Sequence, residues 1–302
     1  MKTNITTLNC SFVGVVCAGA LLLTAASVSA QNLFVSDYNA GNVYQYTPGG
    51  TQSTFATGMN HPYGIAFNAA GNLFVANTDQ NVPSGGNITE ITRGGTQSIF
   101  FSGIDPIALA FNNAGTLFAA DYKSGNIYEY TSSGVQSTFA SGFTTPLALT
   151  FDSTGDLFVG SGYGDGNGII TKITPGGTQS PFASGLNFIG GLTFDGNNLL
   201  VTEVDTGTIY QYTAGGAQST FATVNTSGLG ALAFDNAGNL FVETEHSVVE
   251  IAPGGGQSTF ATGLSIASGL TFQPVPEPST FALIGIGAAA FLARRRISSA
   301  KN

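Results

Sequence analysis

Tryptophan is absent from this 302-residue chain, and no cysteine occurs beyond Cys17. Because Cys10 and Cys17 both lie in the first thirty residues, the rest can form neither a disulfide nor a thiolate metal site, and packing must stabilise it. Charge is also scarce: 8% of residues are Asp, Glu, Lys or Arg, against about 25% in an ordinary soluble domain. Bases are the scarcest of all. Residues 31–274 hold 16 acids and only three bases, Arg93, Lys123 and Lys172. Such a field repels phosphate backbones and anionic lipid, which argues against nucleic-acid binding and leaves cations and neutral polymers open. The chain has no Gly-x-Ser-x-Gly elbow and no phosphate-binding glycine loop, and its two histidines, His61 and His246, have no identifiable catalytic partner.

Glycine (42) and phenylalanine (23) are plentiful, and they recur in register. The stretch Leu33 to Gly58, LFVSDYNAGNVYQYTPGGTQSTFATG, is rewritten from Leu73, Leu117, Leu157, Leu199 and Leu240, at steps of 40, 44, 40, 42 and 41 residues. A period near 40 with several short strands per unit marks a propeller or a related array. Within a unit, Leu33-Phe34-Val35 is a continuous apolar run, as in a strand covered on both faces, and Asn42 to Tyr46 alternates. Gln52 to Ala56 supplies an outer strand, and Gly64-Ile65-Ala66-Phe67 a small-residue strand suited to a crowded axis.

The first unit lacks its own inner strand, and the chain carries a spare one, Gly269 to Phe272, after the last unit. Completing the first blade with this spare removes an open sheet edge. The sequence therefore predicts an all-β, six-bladed β-propeller of four-stranded blades over residues 31–274, closed by a C-terminal inner strand. Seventeen of the 23 phenylalanines fall at three repeat positions, which marks them as packing residues.

The two ends have a different character. Residues 1–30 carry Lys2, an apolar run from Phe12 to Leu23, and Val28-Ser29-Ala30, and read as a secretory signal peptide. Residues 275–302 hold Pro276-Glu277-Pro278, an apolar run from Phe281 to Ala293 that reads as a short transmembrane helix, and Arg294-Arg295-Arg296. These three features, in this order, resemble the PEP-CTERM sorting signal of bacterial exported proteins. That resemblance implies an exosortase-type processing protease, cleavage near the triplet, and delivery to the cell surface or the extracellular polysaccharide matrix. Before cleavage the arginines stay on the cytoplasmic side of the inner membrane.

Over residues 31–274, the pattern Pro-x-Gly-Ile-Ala-Phe, a Gly-Asn turn, Leu-Phe-Val-x-Asp and Gly-Asn-x-Tyr is similar to gluconolactonase and NHL-type repeat proteins and to the streptogramin B lyase. The likeness implies architecture. For a lactonase of that family it also implies an axial metal held by Glu, Asn and Asp, one Asn standing directly before an inner-strand Gly-Leu or Gly-Ile. Here those positions hold Tyr63, Ile107, Leu147, Gly190, Gly230 and Ser268.

Propeller connectivity puts the uniform turns, such as Pro48-Gly49-Gly50, on one face and the variable connections on the other, which is the expected recognition face. Tyr38, Tyr63, Tyr122 and Tyr163, the tyrosines outside the paired repeat positions, map to these loops with His61, and form the candidate binding surface. The residue closing each Leu-Phe-Val strand runs Asp37, Asn77, Asp121, Ser161, Glu203 and Thr244 around the ring. Asp37, Asn77, Asp121 and Glu203 are a radial oxygen set that could take Ca²⁺, although such side chains more often cap the following turn. No cofactor is required by this reading. The expected function is a non-catalytic exported binding or scaffold propeller that meets an exopolysaccharide or a surface protein. The alternative is a secreted metal-assisted hydrolase or lyase working at the axial pocket.

Overall fold

In the computed structural model, the described residues are 31–274 except 80, 81, 83 and 227. They form 23 β-strands and no helix. The segments expected to form a signal peptide and a hydrophobic helix, and the sorting residues Pro276, Glu277, Pro278, Arg294, Arg295 and Arg296, lie outside the described residues.

The strands fold as six antiparallel blades of four. The second strand of every blade, Leu33–Asp37 in the first, is buried from its first leucine onward, because neighbouring blades cover both of its faces. Outer strands such as Gln52–Ala56 expose their polar half and bury only the closing residues. Uniform hairpins join the outer two strands: Gly50, at φ +80°, donates to Thr47 O at 2.8 Å, while Thr51 N donates to Thr47 Oγ1 at 3.1 Å. Only glycine enters that left-handed region without strain.

The inner strands stand side by side around the axis: Ala267–Phe272, Pro62–Phe67, Pro106–Phe111, Pro146–Phe151, the second half of Gln179–Asp195, and Leu232–Phe234, which returns to Ala267–Phe272. The circle is closed. Ala267–Phe272 pairs with Leu33–Asp37 in the register Leu33↔Phe272, Val35↔Leu270 and Asp37↔Ala267. So the chain's last described strand completes its first blade, as the spare repeat predicts.

Phenylalanines bind the blades to one another. Phe34 of blade 1 meets Phe55 of its own outer strand at 4.9 Å and Phe67 of the next inner strand at 5.0 Å, both edge-on. Corresponding triads centre on Phe74, Phe118, Phe158 and Phe241. At the seam between blades 5 and 6 the central residue is Leu200 instead, fully buried, and Phe221 beside it on the outer strand is 36% exposed.

Two features depart from the sequence reading. Blades 4 and 5 share one unbroken 17-residue strand, Gln179–Asp195, so that their sheets merge into one of seven strands. The prolines that start the inner strands of blades 2, 3 and 4 are replaced in blade 5 by Ile189, whose amide can stay in the ladder. The connection that carries Tyr163 is extended chain rather than free loop: Tyr163 begins the strand Tyr163–Ile173 and pairs with Phe188.

Candidate functional site

Inner strands all begin on the face where second strands end, and there they enclose an axial cavity of about 320 Å³. One half of its wall is bulky, with Tyr63, Ile107 and Leu147 from blades 2, 3 and 4. The other half is small: Gly190, Gly230 and Ser268 hold the equivalent positions in blades 5, 6 and 1. The cavity is therefore off-centre. Gly190 admits no side chain, since a Cβ there would collide with Leu229 O, whereas one on Gly230 would lie 2.8 Å from Glu243 Oε2 and force that carboxyl to shift.

Four of the five proposed binding residues form one arc on this rim. Tyr38 lies over His61, ring centroids 4.5 Å apart and tilted 30°, and meets Tyr63 edge-on at 5.4 Å. Tyr63 is the hub. Burial, and then the neighbouring Tyr38, Tyr122 and Glu243, raise its hydroxyl above the usual tyrosine range. Tyr63 belongs to the strand Pro62–Phe67 rather than to a loop, so it joins the rim to the cavity wall. His61 has φ +48° just before Pro62, and its Nδ1 is buried without a hydrogen-bond partner. Tyr163 stands apart, 66% exposed, with its ring 4.8 Å from Phe188, which itself lines the cavity.

The strand-closing residues are engaged in local hydrogen bonds. Asp37 accepts from Ala40 N at 3.1 Å, and also from Ser265 N at 2.7 Å and Ile266 N at 3.2 Å, which ties the closing strand's approach to blade 1. Asp121 accepts from Lys123 N and Ser124 N, both at 3.1 Å. Glu203 accepts from Asn187 N at 2.9 Å and Thr206 Oγ1 at 2.7 Å, while Asn77 donates to Asn87 Oδ1 and Thr89 Oγ1. Among the described residues, no group of three or more His, Asp or Glu side chains could hold a metal ion.

Two carboxyls escaped the sequence reading. Glu243 is fully buried directly behind Gly230 and Ala231, its Oε2 accepting from Ala231 N at 3.1 Å while Oε1 has no partner. Burial pushes its pKa up to about 8, against the opposing effect of amides from Ala231 and Gly269. The signal was present in the repeat: the same strand position holds Ser36, Ala76, Ala120, Gly160 and Thr202 in the other blades. Asp105, also buried, receives Ser84 N at 2.7 Å and lies 3.5 Å from Lys123 Nζ, pinning the long connection of blade 2 to blade 3.

Fold and site together define a six-bladed β-propeller with an off-centre axial cavity beneath an aromatic rim. Residues 274–296 match the PEP-CTERM protein-sorting motif, which marks an exported protein held at the membrane before exosortase processing. No curated protein matches the chain. Among solved structures, the chain is similar to one in a nidogen/laminin complex, with 17% identity over 82% of this chain and 99% of that one and a TM-score of 0.71. A protein assigned as a gluconolactonase is similar at 17% identity, over 71% and 82% of the two chains, with a TM-score of 0.62. Virginiamycin B lyase from Staphylococcus aureus is similar at 18% identity, over 66% and 69%, with a TM-score of 0.52. At such identities the likeness is one of NHL- and gluconolactonase-like fold alone.

Proposed function

We propose that this exported propeller is a non-catalytic binding or scaffold protein that turns its variable face toward a polysaccharide or protein of the cell surface or extracellular matrix. The observation that carries this reading is the gathering of Tyr38, His61, Tyr63 and Tyr122 at one rim. Aromatic rings stack on sugar faces and on protein side chains alike, and they lose little conformational entropy in doing so. The inner-strand positions where a gluconolactonase-type enzyme would place a ligand hold Tyr63, Ile107, Leu147, Gly190, Gly230 and Ser268, which favours binding over metal-assisted hydrolysis.

The test compares the full chain with a Tyr38→Ala, Tyr63→Ala, Tyr122→Ala variant in an exosortase-bearing bacterium, measuring how the exported protein divides between matrix and medium. Export and processing should be unchanged while the matrix-bound fraction falls. Equal retention by a folded triple variant overturns the reading, and turnover of a lactone substrate by the parent replaces it with the enzymatic one. Should the triple variant fold poorly, Tyr38→Ala alone carries the test, since Tyr38 lies outside the inner strands.

A further inference from the structure

The rim between blades 6, 1 and 2 combines three things beside the axial cavity. Glu245, on the blade 6 connection, lines the cavity with a carboxylate 59% exposed at its side chain, and its backbone oxygen accepts from Ala267 N at 3.0 Å. Ile266, the next cavity residue, accepts from Tyr38 N at 2.8 Å and donates its own amide to the Asp37 carboxylate. These bonds set Glu245, Asp37, Tyr38 and, through the ring contact, Tyr63 along one continuous edge. Below this edge the wall is apolar, with Ile107 and Leu147 opposite.

Among the described residues, no lysine or arginine stands on that edge. Lys123, in blade 3, is held by Asp105 and by the Asp79 backbone oxygen at 3.1 Å, and Lys172 pairs with Asp156 at 2.6 Å on the hairpin face. The base near Glu245 among the described residues is His246, whose Nε2 lies 3.8 Å from it and whose Nδ1 is 2.8 Å from Ser265 O.

We propose that the axial cavity takes a small organic cation with an apolar body, an aryl- or alkylammonium, its charged head seated between Glu245 and the rings of Tyr38 and Tyr63 and its body against Ile107 and Leu147. The chemistry is that of a cation over aromatic faces with a carboxylate beside them and, among the described residues, no lysine or arginine to compete for it. A cavity of this volume lies at the small end of ligand pockets, which run from about 300 to 1,000 Å³. The same field turns away sugar acids and other anions. This inference rests on the variable face being a recognition face, and it names a ligand class for the cavity within it.

Three probes sharing one frame test it by calorimetry on the full chain, purified after export, at pH 7 and low salt: phenethylammonium, 2-phenylethanol and phenylacetate. The ammonium should bind about tenfold more tightly than the alcohol, and phenylacetate not measurably. Glu245→Gln, at an exposed side chain, should weaken the ammonium about fivefold and leave the alcohol unchanged. Equal affinity of amine and alcohol, binding of the acid, an unaltered Glu245→Gln variant, or no binding of any probe each overturns the proposal. Matrix retention is a separate readout. Lost retention in the tyrosine variant with no cation binding defeats this inference alone, and cation binding with unchanged retention defeats the surface reading alone.

Discussion

Phe272, on the last described strand, meets Phe241 of blade 6 edge-on, ring centroids 5.0 Å apart at 76°, while Phe241 meets Phe260 at 4.9 Å and 89°. The closing strand is thus held to blade 6 by the same aromatic triad that joins consecutive blades, while its pairing with Leu33–Asp37 brings together the two ends of the domain. Phe272→Ala should cost about 3 kcal/mol of stability, the range for truncating a largely buried phenylalanine, read by urea unfolding. Truncation before Ser265 breaks the triad by removing Phe272 and takes away the whole strand paired with Leu33–Asp37, and should abolish the cooperative transition. A truncated domain that melts as sharply as the parent would mean that the blades do not depend on closure.

Leu200 is the one triad centre that is not phenylalanine, and Phe221 beside it is the most exposed member of its repeat position. The other five seams hold Phe at this place with the same two partners. Leu200→Phe should therefore form a sixth triad with Phe221 and Phe234 and raise stability by about 0.5–1.5 kcal/mol. Destabilisation of about 1 kcal/mol or more would show that Ile209, Val224 and Leu232, packed in the same cluster, already fill the space.

Blade number, strand order and closure were legible because each rests on a pattern repeated six times, and the closing strand was identified by a surplus of one. The merged sheet of blades 4 and 5 was not legible, because it depends on the absence of a proline at Ile189, a local licence rather than a signal. At the candidate site, Tyr38, His61, Tyr63 and Tyr122 were found as departures from the repeat. Tyr163 was grouped with them only because the face was inferred without its distances. Glu243 departs from the repeat too, but it follows directly on a regular Leu-Phe-Val run read only as apolar core, and its burial is what makes a carboxyl there consequential.

Gly125 shows how the connections on the variable face are held. At φ +69°, its carbonyl accepts from Phe143 N at 3.1 Å, and a Cβ would collide with Phe143 O; Gly41 and Met59 repeat this arrangement in blade 1, where the added Cβ would lie 2.7 Å from Met59 O. Strain and overlap act together at both sites. Gly125→Ala should destabilise by about 2 kcal/mol, whereas Gly254→Ala, with open space around it, should change stability by less than about 0.5 kcal/mol. Equal effects of the two substitutions would remove the collision as the cause.

Glu243 gives stability a pH dependence whose sign follows from its environment. The unfolded carboxyl ionises near 4.5, whereas burial moves the folded group to about 8. Between these values the folded protein keeps a proton that the unfolded chain has released, so stability falls as pH rises. The contribution is fully present below about pH 4.5 and lost by pH values above about 8, a swing on the order of 5 kcal/mol. Glu243→Gln retains an oxygen for the Ala231 amide but cannot ionise. Urea unfolding of parent and variant at intervals from pH 5 to 9 should give curves that diverge steadily, with the variant the more stable at pH 9. Parallel curves across that window would mean that the carboxyl ionises near its ordinary value, and that the wall behind Gly230 is open to water.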